Sequence, residues 1–306
     1  METNHNCIIV SPRPTDYIRG VNSPLPFVSN IPTGDWTSYL PDFDLQKEQG
    51  FETDACVTFT AVQSVELQIN WLLKTNQLPQ YHIDQLKSLG FLTDGTFHAS
   101  ERYIAVLDGT TTNGNTMPAP WDAMRKYGLI SYEDMPFSST INTWAEYYTQ
   151  PTADQIAKGQ KLLDLFAFNY EYVWANPTTS CPIDIIKYNL QQAPLCISTP
   201  VCNPWNQVSP PVCSLTVPQH STLVYKQDTL TFILDHYIPF LKEFAEGYFI
   251  PYVLKGIVSI VPPPVSNPTP TLPTLPTNIA PTKSNMQILQ QLVSLWQKLV
   301  SLITGQ

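Results

Sequence analysis

Positive charge is scarce in this chain of 306 residues and nowhere concentrated. Lysine and arginine total 16 against 25 aspartate and glutamate residues, which gives a formal net charge of −9. No run of basic residues is longer than two. Because phosphate backbones are bound by clustered positive charge, the composition argues against a nucleic-acid partner.

Long apolar runs and leader features are also missing. No stretch approaches the ~18 consecutive apolar residues that a membrane span requires. Residues 1–20 lack the basic segment and apolar run of a signal peptide. We therefore expect no transmembrane segment and no secretion signal. The sequence does not give the location, and a virion and a cell surface are two candidates. With 43% apolar and 13% charged residues, the chain has the composition of a folded protein with a core.

The cysteines lack the spacing of a zinc site. No C-x-x-C pair occurs, no cluster of histidines lies near a cysteine, and nothing in the sequence indicates a cofactor. Cys202 and Cys213 flank a proline-rich loop and are candidates for a pair, while Cys56 stands alone in its region. We expect the remaining cysteines to be buried or idle thiols. The six cysteines are Cys7, Cys56, Cys181, Cys196, Cys202 and Cys213.

Proline, in contrast, is abundant, with 29 residues that divide the chain. An irregular N-terminal arm (1–34) is followed by a globular domain (35–260), a proline-rich linker (261–282) and a C-terminal helix (283–306). Dense proline fixes φ and removes backbone donors, so we expect the linker to be extended and semi-rigid.

The C-terminal helix has an apolar seam at heptad spacing and one charge, Lys298. A helix of this kind is predicted to bind something: a second copy, another protein of an assembly, a membrane surface or its own globular domain. The seam residues are Ile288, Leu292, Leu295, Leu299 and Leu302.

Periodicity within the globular domain changes along the chain. The clearest helix is 55–74, and further helices are predicted at 81–89, 100–108, 119–127, 153–166 and 182–192. Strands are predicted later, at 194–198, 221–226, 230–235 and 247–254. Helices first and strands afterwards indicate an α+β fold with a helical half and a sheet half.

Cys56 begins the clearest helix, where the helix dipole lowers the pKa of a thiol and favours the nucleophilic thiolate. A cysteine nucleophile also needs a histidine and a residue that orients it. His220 begins one predicted strand and Asp235 ends the next, so a hairpin would bring the two side chains together. Of the other histidines, His5 lies in the arm, and His82 and His98 lie beside helices.

Several motifs resemble those of the papain-like cysteine peptidases, in the family's order and over roughly residues 35–255. Gln49-Gly50 precedes Cys56-Val57-Thr58-Phe59, which is similar to the family's nucleophile helix. Further resemblances are Glu66 on that helix, Ser100-Glu101, Asn113-Gly114-Asn115, Gly128-Leu129, Ala193-Pro194-Leu195, Gln219-His220-Ser221 and Asp235-His236-Tyr237.

The resemblance implies a two-lobed papain-like fold, with a helical lobe and an antiparallel sheet lobe, and a peptide or protein substrate. It implies Cys56 as nucleophile, His220 as general base and acid, and Asp235 as the orienting residue. Gln49, together with the Cys56 N–H, would form the oxyanion hole. Asn113, Gly114 and Asn115 would lie along the substrate groove.

Three functions remain open at this point. The first is an active Cys-His-Asp peptidase tethered by its C-terminal helix, and the second is a silent papain-like structural or binding protein of a virion or surface assembly. The third is a hydrolase of peptidoglycan peptides. The Asp-x-Tyr ending resembles papain-like proteins of phages and environmental bacteria. The arm either wraps the domain structurally or covers the cleft.

Overall fold

The computed structural model describes residues 7–41, 44–48, 51–200, 220–236, 242–244 and 249–263, together with 290–291, 294–295 and 298. Two compact units are distinguished, Met1–Pro263 and Pro264–Gln306. Most of the predicted linker and C-terminal helix therefore lies outside the described residues, as do Cys202 and Cys213. The described residues of the second unit are helical.

Helices concentrate in the first part of the chain, as the sequence predicts. The α-helices assigned within the described residues are α1 (Cys56–Lys74), α2 (Gln80–Ser88), α3 (Glu101–Leu107), α4 (Ala119–Tyr127), α5 (Trp144–Tyr147), α6 (Ala153–Leu162) and α7 (Ile183–Leu190).

Short strand pairs accompany these helices, and the longer strands follow. The strands are β1 (Cys7–Ile8), β2 (Lys47–Glu48), β3 (Phe51–Glu52), β4 (Leu92–Thr93), β5 (Thr96–Phe97), β6 (Asn115–Thr116), β7 (Phe166–Ala175), β8 (Leu195–Thr199), β9 (His220–Gln227), β10 (Thr231–Leu234), β11 (Lys242–Phe244) and β12 (Tyr252–Ile260).

Helix α1 is the central element of the larger unit. Its residues are buried from Cys56 to Leu72, including the polar ones, as expected for a helix surrounded by protein on every face. It contacts β8, β9 and β12 of the sheet as well as α3 and α4. The Gln68 amide ties it to β12, because its Oε1 accepts the Val258 N–H at 3.0 Å.

The main sheet has six strands in the order β11-β10-β9-β8-β12-β7, and every neighbouring pair is antiparallel. Strands β9 and β10 form a hairpin with Leu223 opposite Leu234. The start of β9 and the end of β10 therefore meet at one edge of the hairpin.

The α+β prediction is confirmed, with three corrections within it. The helix predicted at 153–166 ends at Leu162, and β7 was not predicted at all. Because β7 precedes α7, helices and strands are not fully separated in sequence. The strand predicted at 247–254 is displaced to Tyr252–Ile260, and its first two positions lie outside the described residues. Among the described residues, no helix has the length and apolarity to cross a membrane.

The N-terminal arm lies along the sheet lobe from about residue 13 onward. The Arg19 N–H donates to the Tyr172 carbonyl on β7 at 2.9 Å, and the Ile31 N–H donates to the Gln191 carbonyl after α7 at 2.9 Å. This part of the arm wraps the domain, whereas its first described residues lie elsewhere, as described below.

Candidate active site

Cys56 is the first residue of α1 and is completely buried. Its thiol accepts hydrogen bonds from two backbone N–H groups, those of Val57 on the same helix and Ser221 on β9. The Ser221 contact brings the thiol next to the residue that follows His220. The start of α1 and the start of β9, 164 positions apart in sequence, therefore form one site.

The thiol environment differs from the sequence-based expectation of a lowered pKa. Burial raises the pKa of Cys56 well above its ordinary value, and the nearby Cys7 and Glu52 raise it further. The two N–H groups act in the opposite direction but are outweighed. In the state described here, Cys56 is therefore a protonated thiol without access to solvent.

His220 and Asp235 lie side by side at the edge of the β9–β10 hairpin. His220 Nε2 is 3.1 Å from Asp235 Oδ1, and both side chains are fully buried. Since β9 begins at His220 and β10 ends just before Asp235, the hairpin register brings the pair together. A carboxylate at this distance fixes the imidazole tautomer and orientation.

His236 is a second imidazole at the same place, which sequence reasoning did not single out. Its ring centroid lies 5.0 Å from that of His220 and 5.5 Å from that of Phe59. One ligand atom from each of His220, Asp235 and His236 lies within 4.8 Å of the others, so the group also has the donors of a metal site.

The loop that leads to Gln49 is anchored on both sides, although Gln49 itself lies outside the described residues. The Gln46 N–H donates to the His236 carbonyl at 2.7 Å. The Gln46 side-chain amide donates to Glu52 Oε1, also at 2.7 Å. Strands β2 and β3 pair antiparallel directly before and after residues 49–50. The predicted oxyanion-hole loop is thus connected to the residue next to Asp235.

Asn113, Gly114 and Asn115 form a turn that leads into β6. Asn113 is exposed, and Gly114 has a φ of +77°, a conformation that favours glycine. The Asn115 side-chain amide donates to Asp108 Oδ1 at 3.0 Å. The Thr58 hydroxyl on α1 donates to Asp108 Oδ2 at 2.6 Å. Asp108 therefore joins the predicted groove residues to the helix of Cys56.

Asp108 is the other unpredicted ionisable group near the site. Burial raises its pKa to about 6, against hydrogen bonds from Thr58, Thr110 and Asn115 that lower it. The only signal in the sequence was an Asp-Gly pair after a helix, which is typical of any turn.

The first described residues of the N-terminal arm lie on the predicted substrate groove. Strand β1 pairs in parallel with β6, with Cys7 opposite Asn115 and Ile8 opposite Thr116. A small apolar pocket adjoins this pairing. It is lined by Ile8, Ile9, Val10, Met117, Tyr172 and Tyr252.

No family model and no curated protein matches this sequence. Solved structures do match. Xylellain, a cysteine protease from Xylella fastidiosa, aligns with a TM-score of 0.57 and 14% identity over 83% of this chain and 95% of that chain. Procathepsin L 3 of the Tenebrio molitor larval midgut aligns with a TM-score of 0.48 and 13% identity over 83% of this chain and 77% of that chain. Bromelain from Ananas comosus aligns with a TM-score of 0.44 and 12% identity over 72% of this chain and 96% of that chain.

The match to xylellain, which spans nearly all of that protease, shows that this chain has the fold of papain-like cysteine proteases. An identity of 14% shows the fold alone. The activity has to be argued from the residues of the site.

Proposed function

We propose that this chain is a cysteine peptidase that uses Cys56, His220 and Asp235, and that residues 7–10 of its arm hold it in a latent state. The observation that carries the proposal is the convergence of three groups. A thiol at a helix N-terminus contacts the backbone beside His220, and His220 is held by Asp235 at 3.1 Å.

Peptide hydrolysis would proceed in two steps. His220 takes the proton of Cys56, and the thiolate attacks the peptide carbonyl carbon to form a tetrahedral oxyanion. The C–N bond then breaks, and the amine leaves with the proton from the imidazolium. In the second step His220 deprotonates a water molecule, which releases the acyl group and restores the thiol. Because Nε2 is bonded to Asp235, Nδ1 is the nitrogen that would exchange these protons.

Gln49 and the Cys56 N–H would stabilise the oxyanion, as the resemblance implies. The anchoring of Gln46 to the His236 carbonyl supports this role for the loop, since it links the loop to the His220–Asp235 pair. Asn113, Gly114 and Asn115 would bind the substrate backbone along the edge of β6. An extended peptide commonly binds by adding a strand to such an edge.

Latency explains why the Cys56 thiol is buried and protonated. The β6 edge that a substrate would use is already paired with Cys7 and Ile8. While the arm stays there, a peptide has no access to that edge or to the thiol. Release of residues 7–10 would open the edge and admit water. It would also reduce the burial that raises the pKa of Cys56.

The C-terminal helix (283–306) would attach the peptidase to a second copy or to a protein assembly through the proline-rich linker. Its heptad seam supports this, and a linker of this kind raises the local concentration of enzyme near its target. Deleting 283–306 is expected to lower the molar mass in light scattering or to abolish retention of a partner. An unchanged mass together with unchanged retention would argue against the tether.

The alternative function is a silent papain-like structural protein, which the complete burial of Cys56 favours. Two chains separate the alternatives: the full chain and a chain that begins at Ser11. Each is treated with iodoacetamide near pH 6, and alkylation of Cys56 and Cys181 is followed by peptide mass spectrometry. Cleavage of fluorescent casein is measured in parallel, with Cys56→Ala and Cys181→Ala as the test and control variants.

We expect Cys56 of the shortened chain to react at least about tenfold faster than Cys181, because a thiolate is the reactive form. Casein cleavage should appear in the shortened chain, disappear in Cys56→Ala and persist in Cys181→Ala. If Cys56 reacts no faster than Cys181 and no variant cleaves casein, the peptidase proposal fails and the silent scaffold stands.

A further inference from the structure

A second group of ligand-type side chains lies apart from the Cys56 thiol, between the middle of α1 and the start of α3. Glu66 follows Cys56 by ten positions on α1, which corresponds to about 15 Å along the helix axis. One ligand atom from each of Asp44, Glu66 and His98 lies within 4.8 Å of the others. His98 Nε2 is 2.8 Å from Asp44 Oδ2.

Glu101, the first residue of α3, adds a third carboxyl group to this cluster. It is 2% exposed, and it contacts Asp44 through a hydrogen bond between the two side chains. Its Oε1 has no hydrogen-bond partner among the described residues. A buried carboxyl oxygen without a hydrogen-bond partner is costly, which is an observation separate from the acidic cluster itself.

We propose that Asp44, Glu66, His98 and Glu101 form a structural site for one divalent transition cation of the Zn²⁺ or Mn²⁺ type. The site is independent of peptidase activity, and it differs from the expectation from cysteine spacing, which indicated no metal. That expectation considered thiolate ligands, whereas these donors are oxygen and imidazole nitrogen.

The geometry fits such a cation after small movements. Ligands bound at about 2.0–2.2 Å lie about 3–4.4 Å from one another. The ligand atoms of Asp44, Glu66 and His98 lie within 4.8 Å of one another, so a pair at that limit contracts by about 0.4 Å for a trans arrangement and by about 1.4 Å for a tetrahedral one. The His98 ring is held in orientation by stacking on Tyr132, with centroids 4.4 Å apart and planes 10° apart. Glu66 is fixed because its Oε1 accepts the Ala99 N–H at 2.8 Å.

The donor set also selects among metals. One imidazole together with carboxylates suits Zn²⁺ or Mn²⁺, whereas Ca²⁺ prefers six to eight oxygen ligands. An entry path exists, because the side chains of His98 and Asp44 are 13% and 14% exposed. Glu66 and Glu101 form the buried floor of the site.

A bound cation would connect three parts of the chain. Asp44 precedes the β2–β3 hairpin, Glu66 lies on α1, and His98 and Glu101 flank the start of α3. Binding would therefore stabilise the fold and immobilise the segment that leads to Gln49.

The test uses the full chain, stripped with a chelator and titrated with ZnCl₂, MnCl₂ and CaCl₂ by calorimetry, with thermal unfolding in parallel. We expect one equivalent of Zn²⁺ or Mn²⁺ to bind and to raise Tm. The variants Glu101→Gln and Asp44→Asn should each weaken binding at least about tenfold, as loss of a ligand does. The control His236→Ser alters the other ligand-type cluster and should bind as the wild type does.

Absence of saturable binding would overturn the proposal, as would a preference for Ca²⁺. Affinity that is lost in His236→Ser but kept in Glu101→Gln and Asp44→Asn would assign the metal to the His220 cluster and would also overturn it. If Glu101→Gln does not fold, Asp44→Asn decides, because Asp44 is partly exposed and its amide keeps the same shape.

Discussion

The buried amine of Lys255 provides a quantitative test of the sheet lobe. On β12, its Nζ lies 2.7 Å from Glu171 Oε1 on β7, 3.0 Å from Asn189 Oδ1 and 2.7 Å from Gln192 Oε1. Both charged side chains are completely buried. We consider the variant Lys255→Met, which keeps the length of the side chain and removes its charge and its donors.

The expected loss follows from what happens to Glu171. Glu171 then loses the nearer of its two cationic partners and keeps Arg19, whose Nη1 lies 3.4 Å from Glu171 Oε1. A buried charge that loses every partner destabilises a protein by about 3–5 kcal/mol. Because Arg19 remains, we expect a smaller loss of about 2–3 kcal/mol in the free energy of unfolding, or about 5–10 °C in Tm.

The assay is urea unfolding of wild type, Lys255→Met and the double variant Lys255→Met/Glu171→Gln at pH 7. The double variant should recover at least half of the loss, because the buried carboxylate is gone and the remaining charge, that of Arg19, is on a side chain that is 23% exposed. A loss below about 1 kcal/mol in the single variant, or a double variant no more stable than the single one, would refute this reasoning.

Three further outcomes are expected. Gly256→Ala should prevent stable folding, because the new Cβ would lie 1.8 Å from the Trp121 ring. Gly95→Ala meets nothing within 4 Å, and only the strain of a side chain at a φ of +81° should lower its stability, by about 1–2 kcal/mol. Both variants are checked by thermal unfolding. Stability should fall as pH rises from 4 to 6, because the pKa of Asp108 in the folded state is about 6, above its value in the unfolded chain. The protonated side chain stabilises the folded state at low pH, and this contribution is lost as the pH passes the folded-state pKa. The variant Asp108→Asn should remove this slope in urea titrations. The last pair of variants is made in the chain that begins at Ser11. Asp235→Asn should keep most of kcat for peptide cleavage, since an amide oxygen still orients an imidazole, whereas Asp235→Ala should lower kcat at least about tenfold. An equal loss of kcat in both variants would contradict an orienting role.

The helical half of the fold was accessible from sequence because its signals are local. The prediction of 55–74 differs from α1 by a single residue, and the prediction of 119–127 coincides with α4. Strand β7 was missed although its apolar residues alternate, because the preceding helix was extended to residue 166 and absorbed its start. The charge of Glu171 within it also disguised a strand that is buried on much of its length.

In the candidate site, too, the residues marked by local signals were found and the long-range contacts were not. Cys56, His220 and Asp235 were found because each sits at the end of a recognisable element, and the hairpin between the last two is short. The pairing of Cys7 with Asn115 left no pattern, since it joins two-residue strands 108 positions apart. The contact of the Cys56 thiol with the Ser221 backbone depends on how α1 packs on the sheet, which spacing alone does not reveal.

Parallel pairing of β1 with β6 has a consequence for inhibitors and substrates. The arm would stay close to β6 even when β1 dissociates from it, because two contacts lie just beyond β1. Arg13 forms an ion pair with Asp122 at 2.8 Å, and Asp16 accepts a hydrogen bond from the Tyr170 hydroxyl at 2.7 Å. A segment tethered by so few residues competes at an effective concentration on the order of millimolar. In the intact chain, a peptide would displace β1 from β6 only if its concentration relative to its Kd outweighs the effective concentration of the arm. A single cut between residues 10 and 13 would remove that competition without dismantling the rest of the wrap.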